Sequence, residues 1–345
     1  MFEISVFPIE QPGGSFYYSK IKTKDIVGKL NIRRRSVHAD GVQRDLAVKR
    51  IREISDYLST ADAILPTPLV ISVPFAELRM ANNEYYLMIP TSDDSPWGEI
   101  IDGQHRYEGL RYVDNFNQYE IPVCIFIDLS IEDKATVFST INSTQVKVPK
   151  SYIYDLFDYT DSNTPAKFCH EVCKTLNYDK DGPLSKRVKM LGRKLNDSEV
   201  LSQAALVDAI IPLISKNEKL DEKQVRNSER LLPEEALPLR QLYIDENSLV
   251  FSKILRNYFL ALREVSEHNW ESYALRSIGV KVFLRVLGLI ARKGLQEGSL
   301  SQDFFFSTLY KIKPHILACT TEEGTNKRAE DTAVERLSAA LGQDL

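Results

Sequence analysis

The sequence predicts an α+β fold, with a mixed strand–helix domain over residues 1–150 and a mostly helical domain over residues 151–345. Three observations carry this. The 345-residue chain is long for a single core and suggests about two domains. Up to Pro149, short β-branched runs alternate with helix-period segments, the succession expected of α/β or α+β architecture. Beyond Pro149 the apolar residues recur at helical spacing, and no comparable series of strands is visible.

Taken in order, Asp45–Leu58 (DLAVKRIREISDYL) places Leu46, Val48, Ile51, Ile54, Tyr57 and Leu58 on or near one helical stripe. Thr67–Val73 (TPLVISV) and Tyr85–Ile89 (YYLMI) read as strands, and Thr91–Gly98 (TSDDSPWG) as a turn cluster. The short run EII then reads as a strand ending at Asp102, and Pro122–Leu129 (PVCIFIDL) as a buried strand. Ser130 with Asp133 three residues on predicts a capped helix start. In the second half, 151–159, 200–215, 250–265 and 273–294 are helical in period and length. The polar stretch Glu218–Pro238 reads as a mobile loop, and the C-terminal end as a loop followed by an amphipathic helix. No internal repeat or low-complexity tract is present.

Composition is that of a soluble globular protein, 43% hydrophobic and 27% charged. No run approaches 18 apolar residues, and the N-terminus MFEISVFPIE carries acids where a signal peptide carries basic residues. A cytoplasmic location without a membrane partner is expected. Four cysteines make no disulfide framework. Cys124 lies in an apolar run. Cys169, His170 and Cys173 (CHEVC) share a helix, where packing is favoured over a metal because the spacing is not a usual zinc pattern. The net charge of −4 excludes a general polycation, but Lys29–Ser36 (KLNIRRRS) and Ser185–Lys194 (SKRVKMLGRK) are locally basic. Either is compatible with a solvated charged face.

The densest chemistry is in IIDGQHRYEGL, from Ile100 to Leu110. A strand, a glycine turn and a helix start form a place to hold an anion, because the first helical N–H groups lack internal partners. Gly103 permits close backbone approach. Arg106 can grip phosphate with two parallel bonds, and His105 can donate a hydrogen bond or move a proton. Asp102 repels phosphate unless Mg²⁺ intervenes, or else serves as a general base. The alternative is structural, with Asp102 capping the helix and Arg106 paired to Glu108 or to Asp102. Arg44, just before the helix of residues 45–58, is a candidate second phosphate contact. Asn142, Ser143, Thr144 and Gln145 follow the next helix and suit a hydrated metal or a ribose, or merely a helix end. Serine-hydrolase, P-loop, dinucleotide-fold and zinc-protease motifs are absent from the sequence.

Together, IDGQHRYEGL, VQRDLAVKRIREISDYL and INSTQVKVPKSYIYDL resemble in order the motifs of the DGQHR-domain family, itself similar to the ParB/sulfiredoxin-like fold. GPLSKRVKMLGRKLNDSEVLSQAALVDAI resembles the family's helical part, so the resemblance covers roughly residues 30 to 215. It implies a small sheet with helices and a nucleotide-phosphate site at Gly103, Gln104, His105 and Arg106, assisted by Arg44, with Asn142 and Asp102 on Mg²⁺. Gln104 stands where the sulfiredoxin motif has its catalytic cysteine, which argues against that chemistry. The residues following the glycine also differ from the ParB motif.

The resemblance further implies a place in a bacterial DNA-modification or defence system. The first reading is a nucleotide-binding ATPase component of the DpdB-like, 7-deazaguanine type, taking ATP or another NTP with Mg²⁺ and using Asp102 and His105 in catalysis. LPTPLVISV looks closer to that branch. The alternative is a DndB-like DNA-binding transcriptional regulator of a phosphorothioate-modification cluster, contacting DNA through Arg33, Arg34, Arg35, Lys186, Arg187, Lys189 and Arg193. DNA is a partner in either reading, directly or through a modification enzyme, and a homo-oligomer is compatible with both. A nuclease ranks last, because only one acid stands in the turn motif.

Overall fold

The computed structural model describes residues 1–33, 47–92, 95–113, 119–143, 148–321 and 324–342. The fold class is α+β, as the sequence predicts. The chain divides into two compact units, Met1–Val146 and Lys147–Leu345.

The first unit is built on one eight-stranded sheet: β1 (Phe2–Gln11), β2 (Gly14–Lys22), β3 (Leu30–Asn31), β4 (Leu69–Val73), β5 (Glu77–Ala81), β6 (Glu84–Ile89), β7 (Gly98–Asp102) and β8 (Glu120–Ile127). The strand order is β3-β7-β4-β8-β2-β1-β6-β5. β3 with β7 and β4 with β8 run parallel, and the other pairs are antiparallel. All five residues of β4, LVISV, are buried. A strand covered on both faces reads as a continuous apolar run rather than an alternating one.

Side-chain alternation sends Ile100 to one face of the sheet and Ile101 to the other. On Ile100's side, Leu69, Ile71, Tyr107, Leu110 and Leu58 form the main core of the unit. Its helices are α1 (Thr23–Ile26), α2 (Val48–Leu58) and α3 (Gln104–Leu110). On Ile101's side, Val70 and Cys124 pack with Val137, Phe138 and Ile141 of α4 (Ile131–Ser143). The predicted cap of α4 is present: Asp133 N–H donates to Ser130 Oγ at 3.1 Å, and Ser130 Oγ donates to Asp133 at 2.6 Å.

Tyr107 ties α3 to the chain between α1 and β3. Its buried hydroxyl accepts from the N–H groups of Gly28 (2.8 Å) and Leu30 (3.1 Å) and donates to the carbonyl of Ile26 (3.2 Å).

The second unit is helical: α5 (Lys150–Asp155), α6 (Pro165–Tyr178), α7 (Gln203–Ile210), α8 (Glu218–Arg226), α9 (Arg240–Ile244), α10 (Ser248–Ser266), α11 (Ser277–Gln296), α12 (Gln302–Lys311), α13 (Lys313–Leu317) and α14 (Lys327–Gly342). A two-residue parallel pair, β9 (Val188–Lys189) with β10 (Leu201–Ser202), interrupts it. One continuous apolar core includes Phe168, Val207, Phe259, Leu284 and Leu337.

The polar stretch 218–238 is not the free loop its composition suggests. It begins as α8, with Asn217 as cap. Buried Arg240 then grips Asp221 at 2.6 and 2.8 Å and the carbonyls of Leu232 and Ile214 at 2.7 Å each, pinning the rest. Cys169 and Cys173 lie in the core with their thiol pKa values pushed up by burial. His170 is fully buried between Asp158 (2.9 Å) and the Gln203 side-chain oxygen, whose amide donates to Ser151 and Met190 carbonyls. These bonds join α6 and α7 to α5, to the turn that follows it and to the residue after β9. Among the described residues no group of three or more His, Cys, Asp or Glu is arranged to hold a metal, and no helix is long and apolar enough to cross a membrane.

Candidate functional site

The strand–turn–helix predicted around Asp102 forms as read: β7 ends at Asp102, Gly103 turns, and α3 begins at Gln104. Gly103 adopts φ +93°, in the left-handed region where a side chain is strained. The space is also closed. A Cβ there would lie 2.5 Å from Leu69 Cδ2 and 2.9 Å from Arg106 Nη2.

Asp102 does not cap the helix, whose N-cap, Gly103, makes no side-chain bond. Asp102 Oδ2 instead accepts from Arg106 Nη2 at 3.1 Å, with both side chains largely buried. Arg106 Nη1 donates to the carbonyl of Thr67 at 2.6 Å and also to the Thr67 hydroxyl. Arg106 is thus a buckle from the turn to the chain entering β4. Burial pulls its guanidinium pKa down and Asp102 opposes that.

His105 is held in one tautomer. The N–H of Ala47, at the start of α2, donates to His105 Nε2 at 3.1 Å. That nitrogen is therefore unprotonated, and the neutral ring carries its hydrogen on Nδ1. Burial lowers the His105 pKa, Arg50 lowers it further, and Asp102 acts in the opposite direction. Gln104 is buried, and its Oε1 has no hydrogen-bond partner among the described residues. An orphan carbonyl oxygen needs a donor, which a phosphate does not supply but a water, hydroxyl or amine does.

Arg50 is the site residue that sequence reasoning missed. It lies in the first turn of α2 and influences both His105 and Arg106 electrostatically. It is exposed and forms no ion pair among the described residues. Arg106 is thus paired with the Asp102 carboxylate beside the His105 ring, and Arg50 adds positive charge felt by both His105 and Arg106. The pattern "Arg three residues after Ala47" carries no sequence signal of its own. It matters only because α2 packs on α3, where a Cβ at Gly109 would lie 2.7 Å from Ile54 Cγ2.

Asn142 and Ser143 close the end of α4. Asn142 Nδ2 donates to the Phe138 carbonyl at 2.8 Å and Ser143 Oγ to the Thr140 carbonyl at 3.3 Å. No hydrogen bond joins either to Asp102 or Arg106 among the described residues. Arg34, Arg35, Arg44, Thr144 and Gln145 lie outside the described residues.

Of the basic candidates, Arg33 is exposed just beyond β3. Lys186 is exposed at φ +54°, Lys189 sits half-buried in β9, and Arg193 is exposed. Arg187 is already engaged, its guanidinium paired with Glu271.

A family model described as DNA-sulfur modification-associated matches residues 4–229. The matched region contains the Asp102–Arg106 turn and the basic loop 186–194, and it ends three residues after α8. No curated protein and no solved structure matches the chain.

Proposed function

This chain belongs to the DndB family of DNA-sulfur modification-associated proteins, and from that membership we propose that it recognises nucleotide phosphate at the Asp102–Arg106 turn within a DNA-modification system. The observation that carries the reading is the turn itself: Arg106 is oriented by Thr67 and Asp102 next to the His105 ring, and Arg50 adds positive charge felt by both. We read the unit as ParB/sulfiredoxin-like on the strength of this strand–turn–helix. A phosphate competes with Asp102 for Arg106. Asp102 would hold the Mg²⁺ accompanying ATP or another NTP, since Mg²⁺ is commonly held by one or two carboxylates plus substrate phosphates. Asp102 is the residue that fits the ion. Asn142 gives its amide nitrogen to the Phe138 carbonyl, and its Oδ1 is the atom that would join the ion.

His105 Nε2 is occupied by the Ala47 N–H, so His105 is not the proton acceptor in hydrolysis, and Asp102 would take that role only where it does not hold the ion. His105 acts as a donor to phosphate. The setting we propose is sulfur modification, following the family description, in place of the 7-deazaguanine setting. The test is a calorimetric panel of ATP, GTP and CTP with Mg²⁺, with and without DNA. Binding that weakens at least tenfold in Arg106→Ala and Arg50→Ala supports the reading. Absence of binding under every condition refutes it. Asp102→Asn separates the roles by removing turnover and Mg²⁺ dependence more than affinity.

The second reading, a DNA-binding regulator, is favoured by the exposed cations Lys186 and Arg193 beside Lys189 in a loop inside the matched family region. Replacing the three by Ala flattens the salt dependence of DNA binding, by about 0.9 in log–log slope for each phosphate no longer neutralised.

A further inference from the structure

β5 is an edge strand, and among the described residues it pairs with β6 alone. All five of its residues are exposed. Natural edge strands are commonly blunted by proline, a bulge or inward-pointing charge. β5, Glu-Leu-Arg-Met-Ala, has no proline, and its register with β6 is regular from Glu77 to Ala81. Its two faces differ. Leu78 and Met80 are 42% and 67% exposed, and Tyr85, opposite Met80 on β6, is 40% exposed. Glu77 and Arg79 point to the other face, where they pair with each other at 3.2 Å.

We propose that this edge is a self-association surface on which β5 of a second copy pairs antiparallel, joining the two sheets into one. The argument is one of register. The β5–β6 hairpin turns through Asn82 and Asn83, both at positive φ, and closes on Ala81 opposite Glu84. In such a two-residue turn the closing residues exchange hydrogen bonds. Alternation along the strand then directs the backbone groups of Arg79 and Glu77 toward β6 and those of Leu78 and Met80 outward. A two-fold pairing must match outward residues with outward residues.

Each such register centres on one residue and places it opposite its own copy. With Met80 at the centre, Arg79 faces Ala81 and Glu77 faces the turn residue Asn83, so no unlike charges meet, and centring on Ala81 runs further into the turn. With Glu77 or Arg79 at the centre, like charges meet. With Leu78 at the centre, Leu78 meets Leu78, Met80 meets Ala76, and Glu77 meets Arg79 of the second copy on both sides of the axis. That register brings together unlike charges, an apolar pair and the free backbone groups at once. It also places the Glu77–Arg79 pairs at the closer, non-hydrogen-bonded positions, where cross-strand partners interact most strongly. The occupant that fits this edge is therefore another copy of the same strand.

The test is sedimentation equilibrium of the full chain with three variants: Arg79→Glu, the double swap Glu77→Arg/Arg79→Glu, and Leu78→Pro. All lie on an exposed edge, and far-UV circular dichroism verifies that each is folded. The wild type is expected to dimerise, with a dissociation constant that rises with salt. Arg79→Glu, which sets like charges against each other twice, is expected to weaken the dimer about tenfold or more. The double swap restores it, and Leu78→Pro abolishes it by removing a backbone donor from the seam. A monomeric wild type at about 100 µM overturns the proposal, as does a dimer whose strength none of the variants changes. Failure of the double swap to recover the dimer overturns the register.

Discussion

Replacing Gly103 by alanine tests whether the turn is as constrained as its geometry indicates. Two costs apply. A residue with a Cβ in the left-handed region is disfavoured by roughly 1–2 kcal/mol. The added methyl also arrives 2.5 Å from Leu69 Cδ2 and 2.9 Å from Arg106 Nη2. Leu69 is 3% exposed in the middle of the sheet and has nowhere to swing, so overpacking adds about 1–3 kcal/mol. The expected destabilisation is about 2–5 kcal/mol, confined to the first unit. The two tryptophans allow it to be read there alone. Trp97 stacks on Phe2 at 5.5 Å in the first unit and Trp270 lies in the second. In a Trp270→Phe background, Trp97 fluorescence follows urea unfolding of the sheet. With m near 2 kcal/mol/M, the midpoint falls by roughly 1–2.5 M. A double-mutant cycle with Leu69→Ala isolates the steric part, which is relieved when the leucine is shortened. A Gly103→Ala change below about 0.5 kcal/mol would refute the reasoning, because neither the backbone strain nor the closed space would then be real.

Two further outcomes follow from the same unit. Tyr107→Phe leaves the N–H groups of exposed Gly28 and buried Leu30 without their acceptor. At about 1–3 kcal/mol for the buried Leu30 N–H, urea unfolding should show a loss of about 1–3 kcal/mol, and a loss under about 0.5 kcal/mol would mean that water reaches it. His105 gives a pH signature. Its folded pKa is lowered, chiefly by burial, so its contribution to stability is full above the unfolded value of about 6.5 and is lost as pH falls through the lower folded value. The wild type should therefore lose stability relative to His105→Ala between pH 7.5 and 5.5, and a gain on acidification would show that the charged ring is favoured in the fold.

What was legible in the sequence is what local chemistry determines. The run TPLVISV signals a strand covered on both faces, Ser130 with Asp133 signals a helix start, and IDGQHR signals a strand, a left-handed turn and a helix because only glycine is comfortable between them. The N-terminal hairpin β1–β2 and the edge strand β5 were not foreseen. β5 is exposed on both faces, so burial imposes no alternation on ELRMA for a reader to find. The segment 218–238 misled for a related reason: its polarity suits solvent, yet Asp221 is buried with Arg240, and only the three-dimensional pairing distinguishes a pinned acid from a solvated one. At the turn, sequence spacing supplied both readings of Arg106, as a phosphate hook or as the partner of Asp102, and had no means of choosing. The choice depends on Thr67, 39 residues away and brought alongside by the β4–β7 register. The electrostatic setting also includes Arg50 of α2, whose charge bears on His105 and Arg106. The internal buckle and the anion site are not exclusive. Under the proposed function, a guanidinium already oriented by Thr67 would need little reorganisation to exchange one carboxylate oxygen for a phosphate oxygen, with Arg50 adding positive charge.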